Sequence, residues 1–201
     1  MTGELYIRGT LPHDGVAIIG SRTPPRDAAA FAYQLASRLR EPIVAGLALG
    51  IDAAAHRGAL AAGVPTVAFV GYGFGRTYPP EHVALEHAIL SGGGAIATLC
   101  PPGTPVSDQA LVERDRLQAE HARAIVLVCT EIDGGAMHTM QFATELGRPR
   151  FAVAPPTDAA NSAQWAGNIK CLDDGATPLP FDVEAALVML TLLRVTLGVG
   201  S

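Results

Sequence analysis

Apolar residues along this chain gather in short unbroken runs, and between the runs they thin out to every third or fourth position. The runs Val16–Ile19, Ile43–Gly46, Thr66–Gly71, Ala95–Leu99, Ala124–Thr130 and Arg150–Ala154 are each four to seven residues long. Runs of that length predict strands covered on both faces. The intervening spacing predicts helices at about Arg26–Arg40, Ile51–Ala62, Glu81–Ser91, Ser107–His121 and Ala136–Leu146. Strands alternating with helices imply βαβ crossovers, and so an α/β fold: a doubly wound, mostly parallel sheet with helices on both faces. Helix punctuation agrees: Pro24-Pro25 and Pro79-Pro80 stand at helix starts, and Gly63, Gly92-Gly93-Gly94 and Gly147 stand at helix ends. Pro155–Pro180 reads as an irregular segment wrapping the sheet edge. A last helix is predicted at about Asp182–Leu197, and its stretch Ala185–Leu190 is apolar on every side. Such a helix packs wholly within the monomer or lends one face to a second subunit. Residues 1–201 are expected to form one domain.

Composition narrows the function classes. The chain is 49% hydrophobic and 16% charged, which supports a sizeable core. Its net charge of −5 argues against coating nucleic acid through bulk positive charge, so a nucleic-acid site would have to be small and geometric. Cys100, Cys129 and Cys171 are widely spaced, form no CxxC pair, and read as reduced thiols. The start Met1–Arg8 lacks a signal-peptide pattern, and no run is long enough for a membrane span. A soluble, cytoplasmic protein with no membrane partner is expected.

Candidate chemistry collects at the predicted carboxyl ends of the strands, where open parallel sheets bind ligands. Those ends are Gly20-Ser21-Arg22, Gly46–Gly50, Gly71-Tyr72-Gly73-Phe74-Gly75, Pro101-Pro102-Gly103-Thr104 and Gly134-Gly135. Side-chain-poor turns leave backbone N–H groups accessible, and helix starts favour anions. Arg22 stands just before a helix start and suits a phosphate. Arg114-Asp115-Arg116 either adds charge to the crevice rim, diluted by Asp115 and Glu113, or forms a solvated face. No GxGxxG follows the first predicted strand and no GxxxxGK[ST] loop exists, so neither a nicotinamide or flavin cofactor nor a P-loop is expected. The spacing of His82 and His87 suits no metal, and Asp52 and His56 are placed to pair on one helix face. Ser21 has no recognisable His and acid partner, so no catalytic residue is assigned.

The segment Gly46–Leu60, together with Val16–Arg22, resembles the DNA-processing protein A (DprA/Smf) family almost residue for residue. Tyr78-Pro79, Pro101-Pro102-Gly103-Thr104-Pro105, Gly147-Arg148 and Phe151-Ala152-Val153 follow in that family's order, so the similarity runs from about Val16 to Ala176. The resemblance implies a Rossmann-type core that binds single-stranded DNA, assists loading of the RecA recombinase in transformation and recombination, and forms a homodimer. It also implies that Arg22 contacts phosphate on a turn shaped by Gly20 and Ser21, with Arg114 and Arg116 as further basic residues of the crevice; with the strand-end reading, the candidate phosphate-binding set also takes in Gly46, Gly50, Arg57, Gly73, Gly103, Thr104, Gly134 and Gly135. The chain departs from the family at Asp115, where asparagine is usual. It departs again at Gly134-Gly135-Ala136, which replaces Ser-Gly-Ser, and at Ala97-Thr98-Leu99-Cys100 before Pro101.

Two other function classes fit the same sequence. Rossmann relatives bind nucleotides or nucleoside phosphates as sensors, and some hydrolyse N-glycosidic bonds. The acidic balance and Asp115 point that way, although the PGGxGTxxE pattern of the hydrolases is missing. A structural subunit docking through Asp182–Leu197 is the third.

Overall fold

The computed structural model describes residues 4–196. One sheet of eight strands runs through it: β1 (Tyr6–Gly9), β2 (Val16–Ile19), β3 (Ile43–Ala45), β4 (Thr66–Phe69), β5 (Ala95–Thr98), β6 (Ala124–Leu127), β7 (Arg150–Val153) and β8 (Thr177–Leu179). The helices are α1 (Arg26–Leu39), α2 (Ile51–Ala61), α3 (Val83–Ser91), α4 (Asp108–His121), α5 (Ala136–Glu145), α6 (Ala166–Asp173) and α7 (Val183–Thr196). The spatial order is β1-β5-β4-β3-β2-β6-β7-β8, with every pairing parallel except β1 against β5. The fold is therefore the doubly wound α/β arrangement that the alternation predicts.

Alternation along each strand divides the core. Val16 and Ile18 point to the face carrying α1, α2 and α7, whereas Ala17 and Ile19 point to the face carrying α4 and α5. Each central strand is short and wholly buried, which explains its unbroken apolar run. Small side chains let α1 and α2 approach closely: a Cβ on Gly58 would lie 2.2 Å from the Tyr33 carbonyl oxygen.

Three predicted features change. The 155–180 segment holds α6 and the edge strand β8, and its proline, aspartate and asparagine content masked both. The N-terminal β1 went unpredicted because its pattern is mostly exposed; it pairs only on one side. Asp52 and His56 do not pair. His56 turns to β4, where its Nδ1 meets Thr66 Oγ1 at 2.7 Å. The predicted end of the last helix at Leu197 lies outside the described residues. Among those residues, no helix is long and apolar enough to cross a membrane.

Thr66 Oγ1 already donates its proton to the Ile43 carbonyl at 2.8 Å, so His56 must donate through Nδ1 and keep Nε2 unprotonated. That Nε2 is buried and has no hydrogen-bond partner among the described residues. Burial first, and the neighbouring His82, Arg114 and Arg57 next, hold the imidazole down at about 3 rather than 6.5. The unfolded chain therefore binds a proton that the native state refuses between those values. The stability that neutral His56 provides is present above pH ~6.5 and is lost as pH falls towards 3, by on the order of 4 kcal/mol. Urea midpoints measured across this range should fall with acidity, and the slope should flatten in His56→Asn, whose amide can still donate to Thr66.

Candidate nucleic-acid interface

The strand order reverses between β2 and β6: β3, β4 and β5 succeed one another on one side of β2, while β6 to β8 lie on the other. Helices leaving β2 and β6 go to opposite faces, so a crevice opens above their carboxyl ends. A cavity of about 420 Å³ occupies this point, walled by the turn after β2, the turn after β6, α4 and the start of α5.

The turn Gly20-Ser21-Arg22 is docked before any ligand arrives. Ser21 N–H donates to the Cys129 carbonyl at 2.7 Å, and the Ser21 carbonyl accepts from Ile51 N–H at 3.1 Å. Its hydroxyl donates to Glu131 at 3.1 Å and accepts from Thr23 N–H at 3.1 Å. Gly50, at φ +77°, packs against the Ser21 carbonyl where a Cβ would lie 2.3 Å away. Arg22 is thereby left exposed on the cavity wall, and its guanidinium makes no hydrogen bond or ion pair among the described residues.

The other wall is set by a buried charge network. Asp52, in the first turn of α2, accepts from the amides of Gly46 at 2.9 Å and Ala48 at 3.3 Å. Arg114 reaches it from α4 at 3.7 Å and pairs through Nε with Asp115 at 3.2 Å. Asp115 also faces His138 at 3.6 Å and accepts from Gln118 Nε2 at 3.0 Å. Burial pushes the Asp52 carboxyl above the ordinary carboxylate range; Arg114 and the Gly46 and Ala48 amides pull it back. Burial also raises Asp115, against the pull of Arg114 and with the repulsion of Asp52. Gln118 Oε1 and Thr130 Oγ1 are buried on the same cavity and have no hydrogen-bond partner among the described residues.

Beyond β6, Asn168 on α6 fixes the exit of the chain. Its Oδ1 accepts from Thr130 N–H at 2.9 Å, and its Nδ2 donates to the carbonyls of Val128 and Val153, each at 2.9 Å. Gly134 and Gly135 then lead into α5, whose start carries no side-chain cap and opens on the cavity. Burial first, and Glu131 next, push the nearby Cys129 thiol up to about 12, far from a thiolate nucleophile.

The sequence candidates divide by place. Gly20, Ser21, Arg22, Arg114, Gly134 and Gly135 line the cavity, and Gly46 lines a smaller one beside it. Gly50 supports the Ser21 turn from behind. Gly73 and Gly103 are spent on loop pairing, through Gly73 N–H to the Thr104 carbonyl at 2.9 Å and Gly103 N–H to the Phe74 carbonyl at 2.8 Å. Arg57 is exposed on α2 away from the cavity. Arg116 points to α5, pairing with Glu145 at 3.2 Å and standing 4.8 Å over the Phe142 ring. Glu131, Gln118, His138 and Asn168 carried no sequence signal, because each lies in a helix or turn where a polar residue is ordinary. Asp52, whose spacing suggests His56 as a partner, is instead held by the Gly46 and Ala48 amides and Arg114.

Fold and crevice define a Rossmann-type protein that presents a polar cavity at the switch point of its sheet. The profile of the DNA recombination-mediator protein A family matches residues 2–190, and the chain belongs to that family. It is 39% identical over 150 residues to a DNA processing protein DprA of Mycobacterium tuberculosis, covering 73% of this chain and 38% of the relative. The chain thus spans well under half of that relative's length. The solved structure of DprA from Streptococcus pneumoniae superposes with a TM-score of 0.81 at 27% identity, over 92% of this chain and 65% of that one. DprA from Helicobacter pylori, whose structure describes its single-stranded DNA binding mode, gives a TM-score of 0.82 at 23% identity, over 95% and 87%.

A Cβ on Gly46 would fall 1.0 Å from Arg114 Nη1, and Arg114 is held there by two carboxylates. Gly46→Ala should cost about 1–3 kcal/mol in chemical denaturation. The cost should shrink in an Arg114→Ala background, since the two substitutions act on one contact.

Proposed function

We propose that this chain binds single-stranded DNA along the β2–β6 crevice, with a backbone phosphate held by Arg22 near the start of α5. The observation that carries this reading is Arg22 itself: an exposed guanidinium that makes no hydrogen bond or ion pair among the described residues, set on the cavity wall by a turn that is bonded on both sides. A planar donor fork and a helix start facing one space suit a phosphate. Family membership supports the same reading, as does the single-stranded DNA binding of the Helicobacter relative. Delivery of the strand to a RecA recombinase belongs to the same proposal on the ground of family alone. The proposed homodimer has a candidate face on α7, where Val188 and Leu192 are 58% and 62% exposed.

The second reading, a nucleotide or nucleoside phosphate as ligand, is favoured by the charge of the cavity. Arg22 and Arg114 share it with Asp52, Asp108, Asp115 and Glu131, so it has little room for several phosphates. A single phosphate at Arg22, with sugar or base donors turned to Glu131 and Asp115, would satisfy it.

Anisotropy with a labelled single strand should give at least a tenfold loss for Arg22→Ala, and a salt slope smaller by about one. Arg116→Ala should stay within about twofold of wild type. Asp115→Asn should tighten binding by about threefold or more, because it removes a carboxylate from the phosphate's approach. Wild-type protein that binds no strand at low salt, yet gains thermal stability with a mononucleotide, establishes the second reading instead.

A further inference from the structure

The sheet ends in two edge strands, and they differ in kind. β8 is three residues long and carries Pro178, which has no N–H to offer a further strand. β1 has no proline, and its outer side pairs with no strand among the described residues.

The ladder to β5 fixes which groups of β1 face outward. Thr10 N–H donates to the Gly94 carbonyl at 3.1 Å, and the register sets Arg8 against Ile96 and Tyr6 against Thr98. Hydrogen-bonded positions alternate in an antiparallel pair. Tyr6, Arg8 and Thr10 therefore turn their backbone groups to β5, while Leu5, Ile7 and Gly9 turn theirs away. The side chains of Leu5 and Ile7 stand open as well, at 36% and 43% exposure. Those two share one face of the segment; Glu4, Tyr6 and Arg8 share the other, where Tyr6 is hydrogen-bonded to Glu4. Arg8 meets Glu86 at 3.4 Å with its side chain still half exposed.

The segment Glu4-Leu5-Tyr6-Ile7-Arg8 is complementary to its own reverse. Laid antiparallel on a second copy and centred on Tyr6, it sets Glu4 opposite Arg8 at both ends, Leu5 opposite Ile7, and Tyr6 opposite itself. The outward backbone groups then coincide: Leu5 and Ile7 become hydrogen-bonded pairs, worth about four N–H to carbonyl bonds across the axis. We propose that β1 is a self-association edge, through which two copies of this chain join their sheets about a two-fold axis at Tyr6. Charge, apolar contact and backbone parity agree on one register, and opposite charges placed across a strand pair favour it further. The axis stands perpendicular to the joined sheet, so the β2–β6 crevices of the two copies open at opposite ends and neither is covered. This edge is separate from the α7 face and goes beyond the DNA reading. A contact of this size makes a transient pair rather than an obligate dimer.

Cross-linking without DNA tests the register, with folding of each variant checked by thermal melting. Cys100, Cys129 and Cys171 are buried, so an added surface thiol reports alone. At the axis the two Tyr6 Cα atoms lie about 4.5 Å apart, within disulfide reach, whereas the two Arg8 positions are about 14 Å apart. Under mild oxidation Tyr6→Cys should form covalent dimer at least tenfold faster than Arg8→Cys. Adding Ile7→Pro should abolish that dimer, since it removes an outward N–H and no bond to β5. Adding Leu192→Glu on α7 should leave it intact. Equal rates for Tyr6→Cys and Arg8→Cys, or a Tyr6→Cys dimer that is indifferent to Ile7→Pro or lost with Leu192→Glu, overturn the proposal. Strand binding by Arg22 is measured separately and stands or falls independently.

Discussion

The carboxylate of Asp52 is the constraint on which the binding edge depends. Buried at the start of α2, it gathers the amides of Gly46 and Ala48 and the guanidinium of Arg114. A carboxylate taken out of water needs such company, since an unpaired charge there is costly. Asp52 stands on α2 and Arg114 on α4, which cover opposite faces of the sheet, so their pairing holds together the two helical layers where they part. The next link, Arg114 to Asp115 and then His138, carries the arrangement to α5. The cavity is framed by this chain of charges more than by its glycines.

That frame also explains why neighbouring arginines differ so much. Arg114 is neutralised by two carboxylates and serves as a strut. Arg116, two residues on, turns outward to Glu145 and Phe142. Arg22 makes no ion pair among the described residues, acts on Asp52 and Asp115 only at longer range, and is positioned through its backbone. Positive charge at the crevice is therefore concentrated in one side chain, consistent with a protein whose net charge is −5. Recognition then has to come from geometry more than from bulk charge, with one exposed guanidinium placed for an anion.

The N-terminal edge strand takes its meaning from the same edge of the molecule. β1 pairs with β5 on one side only, yet its Arg8 reaches Glu86, which holds Tyr72, which bonds the backbone of Tyr78. A peripheral element is thus tied by three side chains to an exposed aromatic at the crevice.

Much of this was legible in the chain alone. Unbroken apolar runs mark strands buried on both faces, and the run–helix alternation leaves a doubly wound sheet as the economical packing, so the central elements and the glycine-rich strand ends could be read directly. Gly20-Ser21-Arg22 and Gly46–Leu60 also carried the family. What the sequence could not supply was partnership. Asp52 and His56 are four residues apart and suggest a pair, but helix burial sends one to a turn and the other to a neighbouring strand. Arg114 and Arg116 look equivalent, but a helix turns side chains by about 100° per residue, so positions two apart point to very different directions. The half-exposed β1 and the polar approach to α6 lacked periodicity because their stabilising contacts are supplied from distant segments. The sequence by itself determined which segments would be buried, since burial is paid in local hydrophobicity. Only the tertiary structure decided which charges would meet, because Coulomb and hydrogen-bond energies depend on distances that no spacing along the chain encodes.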